Sequence, residues 1–358
     1  MKITDVRAKI IKLPLKSPFK IALGEDTEYE GVIVEIITDD GITGIGEASP
    51  SHRITGETCA GVLALIEQDF KPALVGENPL FIEKLLDKIN SIVLGNPSAK
   101  CAIDIALYDI LGKHTEMPLK TLLGGFKTSI PTSITIGIKS INETVEEAKS
   151  LIKDGAKIIK IKIGLNPEED ANKIKILREE LGYNIKIRVD ANQGYEPNEA
   201  IKVLREIEKY NIEFVEQPVI CWNLKGLKLV RNKTGIPVMA DESLHSARDA
   251  INLIREDVCD LFNIKLMKAG GIREGMKIAS IAESAGIPCM LGSMVETKIG
   301  ITAATHLALA LKNIKYADLD GHLFLKEDII EGGVVTTKGE NKVGNENGLG
   351  IKLISFSY

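Results

Sequence analysis

No stretch of this sequence approaches the roughly 18 consecutive apolar residues that a membrane-spanning helix requires. The opening, MKITDVRAKIIKLPLK, alternates apolar and polar residues at a strand period and lacks the uninterrupted apolar core of a secretory signal. A cytoplasmic protein with no membrane partner is expected. Cysteine is scarce: Cys59, Cys101, Cys221, Cys259 and Cys289 are odd in number and widely spaced, with no C-x-x-C pair. That argues against a disulfide framework and against a zinc site. Excess charge of one sign is missing too, since the net charge is -5 and basic residues are interspersed with acidic ones. Nucleic acid is therefore not an expected partner. Arginine is sparse, nine of the 45 basic residues, so an arginine in an unusual place carries more information than a lysine.

What is present is an average globular mix, 44% hydrophobic and 27% charged over 358 residues, more than twice the usual ~150 residues of a domain. Residues 1 to about 48 read as a three-stranded meander turning at Asp39-Asp40-Gly41. Helical stretches follow at about 56–74, 79–92 and 97–113, so residues 1–128 form an α+β unit. From about Ile130 the pattern changes to apolar strands alternating with amphipathic helices. The strand candidates are 134–138, 158–163, 185–190, 213–218, 237–242, 261–265, 288–293 and 316–320. Polar residues recur at their ends: Lys162, Asp190, Glu216, Asp241 and Lys265 follow one another at near-constant spacing. One βα unit per interval gives an α/β fold, a modified (β/α)7β barrel over 129–322. The tail, 323–358, resumes strand-like text and is expected to return and pair with the N-terminal meander, completing a cap over the barrel mouth. A closed site between cap and barrel is a usual place for a small ligand.

A buried parallel strand reads as continuous Val, Ile and Leu, so charges inside such runs need a reason. Lys160 and Lys162 interrupt IIKIKI two residues apart and so point to one side, the barrel interior. Asp190, Glu216 and Asp241 end three successive strands, at the edge where barrel active sites gather. Three neighbouring carboxylates there repel unless a cation neutralises them. One hard divalent ion, Mg²⁺ by default with Mn²⁺ as the alternative, fits oxygen ligands of this kind. Helix N-caps are the plainer reading of Asp190 or Asp241 alone, but Glu216 is followed by Gln-Pro. Lys265 lies on the far side of this ring from Lys162, so two lysines flank the metal. Like charge and desolvation would push such a lysine toward the neutral amine and make it a base. Lys268, three residues on, is the second candidate.

The set Lys160-Ile161-Lys162, Asp190, Glu216, Asp241 and Lys265 in NIKLMKAGG resembles the enolase superfamily, muconate lactonizing subgroup, and within it the dipeptide epimerases. The resemblance spans essentially the whole chain and implies a cap built from both termini on a modified barrel. It also implies a dipeptide substrate whose C-terminal residue is inverted at the α-carbon through an enediolate, by proton transfer between Lys162 and Lys265. L-Ala-L-Glu and L-Ala-D-Glu, from recycled cell-wall peptide, are the expected pair. On the same resemblance Asp318 and Asp320 in ADLDG hold the dipeptide ammonium, and Thr135, Ser293 and Lys160 line the substrate. Some members bind the Glu side chain with an arginine in the first cap loop, where this sequence has Gly24. Arg53 in SPSHRITGET stands in the second cap loop and offers the bidentate fork a carboxylate prefers. Hydrophobic or broad dipeptide specificity is the alternative. o-Succinylbenzoate synthase, muconate cycloisomerase and N-acylamino acid racemase share the metal and lysines but have no ammonium to bind. A non-catalytic barrel would lose some of the five core positions, and a Schiff-base aldolase leaves the carboxylates unexplained. The sequence leaves a homo-oligomer open.

Overall fold

The computed structural model describes residues 1–354. The N-terminal meander is an antiparallel sheet, β1 (Ile3–Ile21), β2 (Gly24–Thr38) and β3 (Thr43–Ala48). Its inner face carries Val32, Val34 and Ile36 at strand period, all fully buried. Helices at Cys59–Leu65, Ile82–Ile92 and Pro97–His114 follow, with a π-helical turn at Ile66–Phe70 continuing the first. The Pro97–His114 helix lies directly on β3. A Cβ at Gly44 or Gly46 would come within 2.1 or 1.9 Å of the carbonyl oxygens of Ala106 and Ala102, so only glycine permits this approach.

After the short strand β4 (Ile130–Pro131), eight parallel strands run in sequence order around one sheet. They are β5 (Ile134–Ile136), β6 (Ile158–Lys162), β7 (Lys186–Asp190), β8 (Ile212–Glu216), β9 (Val238–Ala240), β10 (Leu261–Lys265), β11 (Cys289–Gly292) and β12 (Ile314–Asp318). A parallel bridge between Thr132 and Ala317 joins the last strand to the segment before the first. The ring is thereby closed, and the barrel has no free edge strand. Helices between the strands start on side-chain caps, for example Ser140 with Glu143, Asn166, Asn223, Ser246 and Thr297. Each satisfies amide groups that the first helical turn leaves unpaired.

The tail does not add a strand to the β1–β3 sheet, as its strand-like text suggested. β13 (Ile330–Gly332) pairs with β16 (Ile351–Leu353), while β14 (Val335–Thr337) and β15 (Glu340–Lys342) form a sheet with β4. Its contacts with the meander include a single bridge, Leu15 to Leu325. The tail also reaches the helices of the cap: Leu349 donates its N–H to Asp109 (2.9 Å), and the Gly348 carbonyl accepts from Leu119 (2.9 Å).

Two cap carboxylates lock the cap onto the barrel. Glu47 on β3 accepts from the N–H of Thr297 (2.8 Å) and of Gly300 (2.7 Å) at the start of the helix Lys298–Ala310. Asp104 accepts from Ile272 (2.6 Å) and Arg273 (3.3 Å) at the start of the helix Ile272–Ser284. Each fills the N-terminal end of a barrel helix with a negative group from the other unit, where the helix dipole favours it. All five cysteines are free thiols. No helix among the described residues is long and apolar enough to cross a membrane.

Candidate active site

Strand register sets the site. Lys162 pairs with Asp190 and Asp190 with Glu216 across β6, β7 and β8, while Lys265, Gly292 and Asp318 align across β10, β11 and β12. Each of these residues ends its strand, at the C-terminal rim of the barrel. A cavity of about 390 Å³ opens above them, within the range that holds a small ligand. Its floor includes Lys160, Lys162, Lys265, Thr135, Ser293, Asp318 and Asp320, and its roof is made by Ile21, Leu23, Arg53 and Ile54 of the cap.

Both lysines of β6 are buried and face inward, as their spacing required. Their partners differ. The Lys160 ammonium lies 3.0 Å from Asp190, 2.9 Å from Glu216 and 2.6 Å from Asp318. Burial works against its charge, but the three carboxylates outweigh it and hold the amine well above its ordinary value. Lys162 donates to Asp190 (2.6 Å) and to Oδ1 of Asn192 (2.8 Å). Lys265 lies 2.8 Å from Asp241. Burial pulls it down and Asp241 and Glu216 more than restore it, so within the chain alone it is held above, not below, the ordinary lysine value.

Lys268 is pulled down by burial, yet it is not placed as a base. Its ammonium is fully buried, 2.5 Å from Asp241 Oδ1, and donates to the carbonyls of Asp241, Leu244 (3.0 Å) and Asn263 (3.3 Å). It sits behind Asp241 and does not line the cavity.

Asp190, Glu216 and Asp241 are fully buried. Burial raises all three; Lys160 and Lys162 nonetheless bring Asp190 below the usual carboxylate range, and Lys265 and Lys268 bring Asp241 well below it. Glu216 goes the other way, pushed up to about 8 by burial and then by Asp190, against the pull of Lys160. Among the described residues no three Asp, Glu, His or Cys side chains converge as a preformed metal cage; the carboxylates are turned onto lysine ammonium groups. The donor set still fits a hard divalent ion. Glu216 Oε2 and both oxygens of Asp241 are buried, and among the described residues each is met only by a lysine ammonium group; all donors are carboxylate oxygens, and a cation would relieve the mutual repulsion that lifts Glu216.

Asp318 accepts from Lys160, from Ser133 Oγ (2.6 Å) and from Thr135 Oγ1 (3.3 Å). Asp320 accepts from the Thr135 N–H (2.7 Å) and is pushed up to about 7, by burial first and by Asp318 second. Ser293 donates to the Asp318 carbonyl (3.2 Å). Arg53 lies at the mouth, its side chain 45% exposed and 3.6 Å from Asp26. Its guanidinium covers Gly24, where a Cβ would come within 2.5 Å of the guanidinium carbon. The two cap loops that the sequence treated separately thus meet at this one contact.

Several residues of the site escaped the sequence reading. Asn263 donates to Glu216 Oε1 (2.8 Å); it stands two residues before Lys265, and that strand periodicity could have found it. Asn192 and Glu242 hydrogen-bond each other beside Lys162 and Asp241. Arg188, a third cation in an inward strand, fills the barrel below the site. It bonds Glu213 (2.7 Å) and the Ala317 carbonyl (2.9 Å) and is flanked by the rings of Phe214 and Tyr316, a packing role.

Residues 3–124 match the model of the mandelate racemase / muconate lactonizing enzyme N-terminal domain, and residues 143–355 match that of the enolase C-terminal domain-like family. The chain is 43% identical to the L-Ala-D/L-Glu epimerase of Clostridium acetobutylicum, over 99% of this chain and all of that protein. It is 45% identical to the hydrophobic dipeptide epimerase of Enterococcus faecalis, over 98% of this chain and 99% of that protein. The crystal structure of the Enterococcus faecalis V583 dipeptide epimerase with Mg and L-Leu-L-Tyr superposes with a TM-score of 0.96, covering 98% of this chain and all of that one. A substrate-liganded complex of the Bacillus subtilis L-Ala-D/L-Glu epimerase, 40% identical, superposes at 0.97 over 99% of this chain and all of that one. On the strength of matches across both units and the full length, the chain belongs to the mandelate racemase / muconate lactonizing enzyme family of the enolase superfamily.

Proposed function

We propose that this protein is an isomerase, a dipeptide epimerase that inverts the α-carbon of the C-terminal residue with one Mg²⁺ per chain. The observation that supports the reading is that Lys162 and Lys265 both line one cavity, together with Asp318 and Asp320, while Asp190, Glu216 and Asp241 end or follow the three strands that lie between theirs in the barrel. Asp190, Glu216 and Asp241 would hold the ion. When bound, it supplies positive charge that stabilises negative charge developing on the substrate carboxylate. Lys162 takes the α-proton from one face and Lys265 returns one to the other, their roles exchanging with the configuration of the substrate. Asp320, beside Thr135, accepts the dipeptide ammonium. Asp318 and Lys160 fix one another and shape the floor. The cap excludes water from the exchanged proton, which strengthens each of these contacts.

L-Ala-L-Glu and L-Ala-D-Glu are the proposed substrates, with Arg53 as the partner of the Glu side chain, as would suit the turnover of cell-wall peptides. Uncharged dipeptides are a second reading, favoured by one observation: Arg53 already has Asp26 beside it, and Ile21, Leu23 and Ile54 share the roof. A dipeptide library in D₂O with Mg²⁺, followed by mass spectrometry, tests both. Deuterium uptake in C-terminal residues that stops on chelation is the expected result, and the strongest signals name the side chain. Uptake that survives exhaustive chelation, or no uptake in any dipeptide, overturns the proposal.

A further inference from the structure

Lys162 and Lys265 are not supported alike. Lys265 has one carboxylate partner at 2.8 Å, whereas Lys162 is held between Asp190 and the side-chain oxygen of Asn192. Asn192 is itself tied down. Its N–H donates to Asp190 Oδ1 (2.9 Å), its amide Nδ2 donates to Glu242 Oε1 (3.1 Å), and its φ of 41° is left-handed, a conformation asparagine tolerates better than most residues. Asn192 and Glu242 are 2% and 4% exposed, and Glu242 Oε2 is buried without a hydrogen bond. The two neighbours of the amide agree on its orientation. An ammonium can only donate, so Lys162 demands the amide oxygen, and the Glu242 oxygen accepts, so it demands the amide nitrogen. Rotated by half a turn, the amide would present a donor to the ammonium and an acceptor to the carboxylate.

We infer that Asn192 and Glu242 are a positioning pair dedicated to Lys162, aiming its ammonium at one face of the substrate while Lys265 serves the other face without such a pair. The inference rests on the two-lysine reading above and goes beyond it, because it assigns an asymmetry between the two directions of epimerisation. Glu242 adds charge near Lys265 as well, so charge alone would act on both faces. The hydrogen bond through Asn192 acts on one.

The test measures solvent deuterium exchange separately from L-Ala-L-Glu and L-Ala-D-Glu under saturating Mg²⁺. Lys162→Ala and Lys265→Ala serve as face markers, and circular dichroism checks the fold. Asn192→Gly removes the amide at a backbone position glycine adopts freely. It is expected to lower exchange on the face marked by Lys162→Ala by about 10- to 100-fold, the scale of a misplaced reacting group, and to leave the Lys265 face within about two-fold. Glu242→Leu is expected to do the same. Glu242→Gln removes the charge but keeps an acceptor for Asn192, and is expected to restore the Lys162 face relative to Glu242→Leu. If the two lysine variants are not face-selective, the two-lysine reading fails and this inference with it. If they are, and Asn192→Gly lowers both faces equally or neither, or Glu242→Gln behaves as Glu242→Leu, the positioning pair alone is refuted.

Discussion

Replacing Lys268 by Met separates a base from a brace. The structure makes Lys268 a brace: its ammonium touches Asp241 Oδ1 at 2.5 Å and three backbone carbonyls, with no exposed surface on the side chain. Methionine keeps the length and most of the volume, so no large cavity is added. What is lost is a buried ion pair broken from one side, which costs about 3–5 kcal/mol because the remaining charge stays buried. Lys265 still faces Asp241 at 2.8 Å, and desolvation already weighs on Lys268, so the lower end, about 3 kcal/mol, is expected. Against a total stability of about 5–15 kcal/mol this is a large fraction. A urea melt read by circular dichroism should therefore show a clearly lowered midpoint with an unchanged slope. Deuterium exchange by the folded fraction should fall on both substrate faces together, since Asp241 lies between them. An unchanged midpoint with loss of exchange on one face only would mean that Lys268 takes or gives the proton, and the brace argument would be wrong.

Arg53→Ala should lower kcat/KM for L-Ala-L-Glu by roughly 5- to 30-fold, about 1–2 kcal/mol, the low end for a hydrogen bond to a charged group because the side chain is nearly half exposed and already near Asp26. L-Ala-L-Leu should be little affected, and equal losses on both substrates would reject the contact. The acid limb of stability should carry a His306 signature. Its Nδ1 accepts from the Lys120 N–H at 2.9 Å and burial pushes the ring down to about 4, below the unfolded value of about 6.5. The folded state binds fewer protons in that window, so this contribution is fully present above about pH 6.5 and is lost as pH falls toward 4, roughly 3 kcal/mol in all. His306→Asn, which keeps an acceptor for Lys120, should flatten the urea midpoint between those pH values; His245 and His322, lowered in the same direction, leave a residual slope. An unaltered slope would show that His306 is not buried neutral.

The barrel was legible because buried parallel strands tolerate few charges, and those they carry stand out. Lys162, Asp190, Glu216, Asp241 and Lys265 each end an apolar run, and the near-constant interval between them implies one rim before any coordinate is known. Direction along a strand was legible for the same reason: a period of two puts Lys160 and Lys162 on one side. What a side chain touches across the ring was not. Lys160 is distinguished from Lys162 by Asp318, 158 residues away, and only closure of the barrel between Thr132 and Ala317 brings β12 close enough to decide it. Lys268 illustrates a second limit. It lies just beyond the rim in sequence, but the helical turn Leu266–Ala269 carries it behind Asp241, and nothing in KLMKAGG marks that reversal. The cap carboxylates show the third. Glu47 and Asp104 sit on a strand and a helix that do not need them locally, and their amide partners lie 250 and 168 residues on. A helix N-terminus accepts a negative group from any direction, so the sequence around it cannot say which unit supplies the group. The contact between the two cap loops has the same character: Gly24 and Arg53 are unremarkable alone, and they become one feature because the missing Cβ leaves room for the guanidinium. Contacts between loops thus leave no trace in residue spacing, whereas strand ends do, which is why the charged rim of the barrel was legible in the sequence and the meeting of the two cap loops was not.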